Sequence, residues 1–518
     1  MLHTVVFKYI DYLGGNTMNA FTENAKNRTI NGTTTENGAY ALSTTGTKLL
    51  DLYGSIGGLR DADDKRVFNM LEAALAEDKL LATKIIFYAR DVREGIGERD
   101  LPRRMLRYLA FNHPEMVKPN IKLMGEYGRY DDLYSLVGTP LEKDIWAFMR
   151  SQLIEDWNNM NADKPVSLLA KWIKTVDASS PKTRKLGIDT AINLGYADTI
   201  PTYKRCIRKL RKYIDIVERK MSNGEWSEIS YENVPSRAAL VHRAAFRRHD
   251  EERYSDYITK ALEGKAKINT GAVTPYDLVH KVLYQENSWG DTEFIDSDGT
   301  VEAMWRQLPD YVDTDTNILC VVDTSGSMDG GPIEVALGLG LYFAEHNKGD
   351  FKDLFITFSS KPSFQAIRGE TLCEKLKNMG REYWDGCTDL MAAFKLVLEH
   401  AQKFDVPEKD MPKAILVISD MEIDDASYIG VDYEYNTAVE CIEEEYRAHG
   451  YELPNLIFWD VDSRHDVFHT DADRRGVQLA SGESPAIFKS VIECLGFTPF
   501  ESMMKVLNSE RYRAITVE

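Results

Sequence analysis

Paired cysteines and long apolar runs are both missing from this sequence of 518 residues. Its six cysteines stand singly, without a Cys-x-x-Cys pair, so the sequence indicates neither a disulfide framework nor a cysteine-rich zinc site. Scattered cysteines of this kind are typical of reduced thiols in a cytoplasmic protein. A run of about 18 apolar residues is also missing, and we therefore expect no helix that crosses a membrane.

The signatures of several enzyme classes are missing too. The sequence contains no P-loop and no HExxH, and its ten histidines show no metal-ligand spacing. Residues 296–300 (DSDGT) are similar to the nucleophile loop of haloacid-dehalogenase-type phosphatases, but only two apolar residues precede them, where that loop needs a buried strand. As an EF-hand loop, the same segment would have Gln307 at the twelfth position, where a carboxylate is needed. We therefore expect that the protein is not an enzyme.

Positive charge is scarce overall but concentrated in one part of the chain. The formal net charge is -19, which argues against a protein that binds nucleic acid over its whole surface. Residues 161–270, however, hold 22 Lys and Arg against 14 Asp and Glu, a local net charge of +8, so that the remainder carries -27. This asymmetry predicts a basic surface on an otherwise acidic protein.

The spacing of apolar residues divides the chain into four parts. Residues 1–40 are rich in Asn, Thr and Gly, lack periodicity, and are predicted to form a flexible arm. In residues 41–285, segments with helical spacing alternate with short breaks, which predicts an α-helical repeat domain, either a HEAT-like solenoid or an irregular bundle. The acidic residues 286–313 are interpreted as a linker with one short helix. In residues 314–518, short apolar runs alternate with helices, which predicts a doubly wound, mostly parallel, Rossmann-like sheet. The predicted fold class is α + α/β, and periodicity leaves open whether the helices close into a ring.

A polar run, Asp323–Ser327 (DTSGS), directly follows the apolar run Ile318–Val322. Such a sequence indicates a buried parallel strand that ends at the ligand-binding edge of a sheet. One carboxylate and two hydroxyls offer only oxygen ligands, which suit Mg²⁺ first and Mn²⁺ or Ca²⁺ as alternatives. A cluster that caps the next helix is the other interpretation. Two further oxygen ligands follow at the same predicted edge, since Asp420 ends the apolar run that begins at Ala414 and Thr388 precedes a predicted helix.

The most basic segment is predicted to be a helix with one buried face. In residues 202–221, apolar residues recur at spacings of three and four, namely Ile207, Leu210, Ile214, Val217 and Met221. The candidate RNA-binding residues of this helix and its neighbours are Lys182, Arg184, Lys185, Lys204, Arg205, Arg208, Lys209, Lys212, Arg243, Arg247 and Arg248. If consecutive helices stack, these side chains line a track for a phosphate backbone. A solvated helix face is the alternative.

The spacing Asp323-x-Ser325-x-Ser327, followed by Thr388 and Asp420, resembles the metal-ion-dependent adhesion site of von Willebrand factor A domains. The resemblance covers roughly residues 313–510. It implies that the first three side chains hold a divalent cation directly or through water, and that the last two complete the set. It also implies an open position that the carboxylate of an acidic protein ligand can fill.

The order of the parts, a helical body followed by this domain, resembles the Ro autoantigen (TROVE) proteins. Those are ring-shaped RNA-binding proteins that hold small structured noncoding RNAs and the ends of misfolded RNAs. An uncharacterised branch of bacterial, phage and plant proteins with the same plan is similar as well. The resemblance implies a non-catalytic, cytoplasmic ribonucleoprotein component whose metal-binding A domain serves structure or partner binding. The alternative is a metal-dependent protein-interaction or assembly scaffold without nucleic acid.

Overall fold

The computed structural model describes residues 31–283, 285–286, 292–293, 295–312, 317–358, 361–379, 389–424 and 437–517. Up to residue 312 the chain is mainly helical, and from residue 317 a mixed sheet with helices follows. This order confirms the predicted α + α/β fold class. A regular helical repeat stays a prediction. Among the described residues, no helix is long and apolar enough to cross a membrane.

The helical body begins with a small antiparallel hairpin and continues with helices of four to twenty residues. The hairpin consists of β1 (Gly32–Thr34) and β2 (Tyr40–Leu42). The helices are α1 (Lys48–Ser55), α2 (Asp64–Glu77), α3 (Lys79–Arg90), α4 (Asp100–Asn112), α5 (Pro114–Val117), α6 (Met124–Tyr127), α7 (Glu142–Asn161), α8 (Leu169–Trp172), α9 (Pro181–Ala191), α10 (Ile200–Tyr213), α11 (Val217–Asn223), α12 (Ser236–His249), α13 (Glu251–Leu262), α14 (Pro275–Leu283) and α15 (Thr300–Arg306). A second hairpin, β3 (Gln285–Glu286) with β4 (Thr292–Glu293), precedes α15.

Side-chain caps explain where the first helices begin. Asp63 accepts a hydrogen bond from the backbone of Arg66 at the start of α2, and Asp78 does the same for Leu81 at the start of α3. These bonds satisfy amide groups that have no partner inside the helix. Along α2, Val67 and Leu71 lie on the buried face at helical spacing. The local sequence therefore determines both the start and the buried side of these helices.

The predicted basic helix over residues 202–221 is in fact two helices, α10 and α11. Asp215 has a φ of 58°, a left-handed conformation that Asp tolerates better than most residues. The chain turns there, and Ile214 and Met221 are only half-buried, whereas Ile207 and Val217 are buried. The prediction of one continuous buried face was wrong because the spacing of apolar residues continues across the turn.

The second part of the chain contains a six-stranded sheet with the order β10-β9-β8-β5-β6-β7. Its strands are β5 (Ile318–Asp323), β6 (Leu354–Phe358), β7 (Ser363–Ala366), β8 (Ala414–Ser419), β9 (Asn455–Asp460) and β10 (Val477–Ser481). The edge strand β7 is antiparallel to β6, and the other pairs are parallel. The helices are α16 (Gly331–His346), α17 (Leu372–Met379), α18 (Leu390–Lys403), α19 (Ala438–Ala448), α20 (Phe488–Ile492) and α21 (Pro499–Leu507). Every residue of β5 and β8 is buried, as expected for parallel strands covered on both faces.

The last residues of the chain dock onto the first helices of the body. Arg511 donates to both carboxylate oxygens of Asp91 at 2.7 Å, and the Tyr512 hydroxyl donates to the same carboxylate. The buried Lys84 ammonium donates to the carbonyl of Leu507 at 2.9 Å. One hydrophobic core runs through both parts of the chain. Because α14 also packs against α16, the helical body contacts the sheet domain through both its first and its last helices.

The turn after α1 lies directly against the end of β10, and Gly57 makes this close approach possible. Its amide donates to the Ser481 hydroxyl at 2.9 Å, and a Cβ atom at this position would lie 2.5 Å from the Gly482 nitrogen. We expect Gly57→Ala to lower the free energy of unfolding by about 1–3 kcal/mol, because backbone atoms would have to move. Gly271→Ala is the control, since a Cβ there meets nothing within 4 Å. Equal urea midpoints for the two variants would show that the close approach at Gly57 does not contribute to stability.

Two predicted segments differ from the structure. Residues 31–40 belong to the predicted flexible arm, yet the Thr35 hydroxyl donates to the Ile423 carbonyl and the Glu36 amide donates to Glu422 Oε2, both at 2.6 Å. They are ordered by partners almost 400 positions away, which local composition does not reveal. Residues 1–30 lie outside the described residues. In the predicted linker, α15 is the expected short helix, but it is buried and its Trp305 indole donates to Glu345 at 2.9 Å.

Candidate metal centre and basic cavity

Two buried carboxylates lie at the carboxyl edge of the sheet, where β5 and β8 are neighbours. Asp323 is the last residue of β5 and is 0% exposed, and Asp420 follows β8 and is 1% exposed. The Ser419 hydroxyl donates to Asp323 Oδ2 at 2.5 Å, and the Ser325 amide donates to Asp323 Oδ1 at 2.9 Å. Parallel pairing of the two strands therefore brings together residues almost 100 positions apart.

The two predicted serine ligands lie in the turn that follows Asp323. The hydroxyl oxygens of Ser325 and Ser327 are 2.9 Å apart, and Ser325 is buried. The next helix, α16, begins after Gly330 without a side-chain cap, so the polar run does not cap it. Four of the five predicted ligands are thus at one edge of the sheet. Thr388, the fifth, lies outside the described residues.

The electrostatics of this edge favour a cation. Burial and, in the same direction, the neighbouring Asp420 carboxylate raise the pKa of Asp323 to about 7. Two adjacent buried carboxylates repel each other and attract positive charge. Carboxylate and hydroxyl oxygens are the ligands that hard divalent cations prefer. The donor set therefore fits Mg²⁺, Mn²⁺ or Ca²⁺ and does not fit a thiolate-bound metal.

An arginine that the sequence analysis missed also reaches this edge. The Arg464 guanidinium forms an ion pair with Asp420, and its Nη1 lies 3.3 Å from Glu36 Oε2. Arg464 stands in the polar run 462–466 (DSRHD) that follows β9. A polar run at the carboxyl end of a third parallel strand was the signal that could have identified it.

Glu422, two residues after Asp420, holds the N-terminal hairpin to this edge. Its buried carboxylate accepts a hydrogen bond from the Glu36 amide at 2.6 Å and lies 2.8 Å from His465 Nδ1. Glu36, Glu422 and His465 together have ligand atoms within 4.8 Å of one another. Because both Glu422 oxygens already have protein partners and Arg464 lies beside Glu36, these contacts explain the cluster without a cation.

A second feature is a large cavity between the helical body and the sheet domain. Its volume is about 1500 Å³. The wall is formed by residues of the early helices and loops, by α8, α10, α11 and α12, and by residues 483–486 after β10. Eleven Lys and Arg and seven Asp and Glu line it, so the lining is net positive in a chain of net charge -19.

Several of these basic side chains are engaged in ion pairs, and others remain available. The buried Arg90 pairs with Asp132 at 2.7 Å, and Arg129 pairs with Asp131 while its guanidinium lies 4.1 Å from the centre of a Trp172 ring. Lys171 and Arg208 form no ion pair within the described part of the chain. Available cations beside an aromatic ring suit an anionic ligand that has flat, stackable groups.

The structure divides the predicted RNA-binding residues among different surfaces. Lys204 and Arg208 line the cavity. Those outside the lining are Lys182, Arg184, Lys185, Arg205, Lys209, Lys212, Arg243, Arg247 and Arg248. Arg243 and Arg247 instead contact the loop before α15, through Asp298 and the Ser297 carbonyl. The lining adds Arg60, Arg90, Arg93, Arg99, Arg129, Lys171, Arg211, Arg219 and Arg237, which are too scattered along the sequence to form a motif.

One carboxylate of the cavity wall is expected to make stability depend on pH. Glu483 pairs with Arg60, and burial raises its pKa to about 7, with the nearby Glu98 carboxylate acting in the same direction. Between its usual pKa and 7 the folded chain binds more protons than the unfolded chain, so stability falls as pH rises through this range.

We expect the wild-type chain to lose stability between pH 5 and pH 8 as Glu483 ionises, and Glu483→Gln to remove about 1–2 kcal/mol of that loss. The expected effect is limited to this size because one-fifth of the side chain is exposed and water screens its charge. Urea unfolding at the two pH values measures the effect. Glu510→Gln, at a side chain 83% exposed, is the control. If stability depends on pH in the same way in the wild-type chain and in Glu483→Gln, the pKa of this carboxylate does not change on folding.

Two family models match the chain, and they meet at residue 317. The domain of unknown function DUF7788 matches residues 317–514, and the domain of unknown function DUF2828 matches residues 35–164 and 145–317. Uncharacterized protein L728 of Acanthamoeba polyphaga mimivirus is 27% identical over 516 residues, which cover 91% of this chain and 86% of that protein. The crystal structure of the SpRpn10 VWA domain is similar at 10% identity and a TM-score of 0.23, over 35% of this chain and 94% of that one, a likeness too low to carry an argument. Because its model matches residues 35–317, more than half of the 518 residues, the chain belongs to the DUF2828 family.

Proposed function

We propose that this chain is a non-catalytic RNA-binding protein that holds RNA against the basic lining of the cavity. The observation that carries the proposal is the surplus of Lys and Arg in that lining, in a chain that is otherwise strongly acidic. Such a surplus concentrates a phosphate backbone at one place on the protein. The resemblance to Ro autoantigen proteins supports RNA as the ligand and a ring as the arrangement of the helices.

The chemistry of the lining favours a nucleic acid over a small anion. Trp172 lies beside both Arg129 and Lys171, and the apolar side chains of Leu168 and Val241 are 48% and 67% exposed. Aromatic and guanidinium planes stack on unpaired bases, which distinguishes nucleic acid from simple phosphate. The cavity, at about 1500 Å³, also exceeds the roughly 300–1,000 Å³ of a small-molecule pocket. A segment of a flexible polymer fits it better.

The second part of the proposal is a divalent cation at the edge of the sheet. Asp323, Ser325, Ser327 and Asp420 would hold it, with Thr388 as the predicted fifth ligand. Mg²⁺ is the first choice, and Mn²⁺ and Ca²⁺ are the alternatives. The cation would neutralise the two buried carboxylates and offer a position for the carboxylate of an acidic protein ligand. Five parallel strands with an antiparallel edge strand support the assignment to the von Willebrand A type.

Binding of a fluorescently labelled structured RNA at increasing salt tests the main proposal. The logarithm of the affinity should fall linearly with the logarithm of the salt concentration, with a slope of about -0.7 for each phosphate contacted in a single strand. A structured DNA of the same sequence shows whether 2′-hydroxyl groups contribute. An affinity weaker than about 1 μM at roughly 100 mM salt, equal for both polymers, would contradict RNA binding as the function.

A protein-interaction scaffold that never touches nucleic acid is the second candidate. The arrangement of Arg464 favours it, because this guanidinium already joins Asp420 to another carboxylate, that of Glu36. An acidic segment of a partner could bind in the same way. This function predicts a protein that co-purifies only with divalent cation present, is lost in Asp323→Ala, and brings no RNA with it.

A further inference from the structure

Arg464 lies between two carboxylates that come from distant parts of the chain. Its Nη2 pairs with Asp420 Oδ2, its Nη1 is 3.3 Å from Glu36 Oε2, and its Nε is 4.0 Å from Asp462. Nε makes no hydrogen bond among the described residues. A guanidinium has a planar fork of donors that can serve two carboxylates at once. Arg464 therefore shares its charge between the proposed metal ligand and the N-terminal hairpin.

The backbone around Arg464 is held in place by the helical body. The Ser463 amide donates to the Gly58 carbonyl at 3.0 Å, and Arg66 donates to the carbonyl oxygens of Ser463 and Arg464. The Arg464 side chain itself is 30% exposed. Movement of its charge must therefore come from rotation of the side chain, between Asp420 on one side and Glu36 on the other.

Glu36 is anchored to the same loop that carries Asp420. Its amide donates to Glu422 Oε2, and the Asn37 side chain donates to the Glu422 carbonyl, both at 2.6 Å. These contacts fix the backbone of Glu36 within reach of Arg464, while 54% of the Glu36 side chain is exposed. Glu36 is thus placed to balance the charge of Arg464 without itself bonding to Asp420.

We propose that Arg464 competes with the divalent cation for Asp420, and that Glu36 weakens this competition by holding the other side of the guanidinium. The inference rests on the proposed cation centre. A fixed positive charge beside a carboxylate lowers the affinity of that carboxylate for a second cation. A second carboxylate that draws the arginine away from the first one raises the affinity of that first carboxylate for the cation. Arg464 is then a positioning residue that sets cation affinity and links it to the hairpin at residues 31–42.

Titration of the full chain with Mn²⁺, with free Mn²⁺ followed by electron paramagnetic resonance, tests the inference. Arg464→Gln should bind Mn²⁺ about tenfold more tightly than the wild-type chain, and Glu36→Gln about threefold more weakly. In the double variant the Glu36 substitution should change affinity less than about twofold, because its effect acts through Arg464. Arg464→Lys keeps the charge without the fork and should lie between wild type and Arg464→Gln.

Arg475→Gln is the matched control. It removes the same charge from a side chain 69% exposed, just before β10 and at the opposite edge of the sheet. Equal Mn²⁺ affinities for Arg464→Gln and Arg475→Gln would overturn the inference, and so would a Glu36 effect that is the same in both backgrounds. Mn²⁺ binding that is lost in Asp323→Ala but unchanged in Arg464→Gln would contradict the inference alone. A wild-type chain that binds no Mn²⁺ would overturn the cation centre and the inference together.

Discussion

Replacing Lys171 and Arg208 together with glutamate is expected to weaken binding of a labelled structured RNA by about 100-fold at roughly 100 mM salt. Both side chains line the cavity, and neither forms an ion pair within the described part of the chain. The double change removes the net positive charge of the lining, and it also places a negative charge beside Trp172. Fluorescence anisotropy measures the affinity. The milder pair Lys171→Ala with Arg208→Ala should lose about tenfold, which separates lost contacts from new repulsion.

The matched control is the pair Arg205→Glu with Lys212→Glu. Both side chains are exposed on α10, outside the cavity lining, and the change in net charge is the same. This pair should lose less than about fivefold, because only long-range electrostatics are altered. An equal or larger loss of affinity in the control would indicate that RNA binds the outer face of α10 and not the cavity.

Asp323→Ala is expected to abolish binding of Mg²⁺ and Mn²⁺, with a loss of affinity of about 100-fold or more. Asp323 is the proposed ligand at the end of β5, is fully buried, and has a pKa raised by burial and by Asp420. In chelator, the variant should unfold at a urea concentration no lower than wild type, since it removes a costly buried charge. Isothermal titration calorimetry measures the first effect and urea unfolding the second.

Asp329→Ala is the control for this prediction. Asp329 is an exposed carboxylate six residues further along the same loop, and it accepts a hydrogen bond only from the following amide among the described residues. It should bind the cations as the wild-type chain does. Unchanged cation binding in Asp323→Ala would place the cation elsewhere, and equal losses in both variants would indicate a general effect of negative charge.

The sheet and the two aspartates at its carboxyl edge could be predicted because their signals are local. Each of the strands β5 and β8 is an uninterrupted run of residues that are buried and mostly aliphatic, and each ends in an aspartate or just before one. A run of this kind indicates a parallel strand wherever it occurs. Asp323 and Asp420 then follow from the rule that parallel strands end at the same edge.

The rest depends on contacts that no local pattern encodes. The hairpin at residues 31–42 is ordered by the loop after β8, and Arg464 is brought to Asp420 by a loop that the helical body holds. On α10, helical spacing shows that the basic residues share a surface, but only the packing of distant helices decides that Arg208 faces the cavity and Arg205 does not. The basic character of α10 was predictable from the sequence, but which of its side chains face the cavity was not.

The most direct test of the central claim is the ratio of absorbance at 260 and 280 nm for the full chain purified without nuclease. RNA binding in the cavity predicts a ratio well above that of bare protein, which falls after ribonuclease but not after deoxyribonuclease. It also predicts that Lys171→Glu with Arg208→Glu purifies with the ratio of bare protein, whereas Arg205→Glu with Lys212→Glu keeps that of the wild type. A wild-type preparation with the ratio of bare protein, which also fails to bind added RNA, would contradict the proposed function.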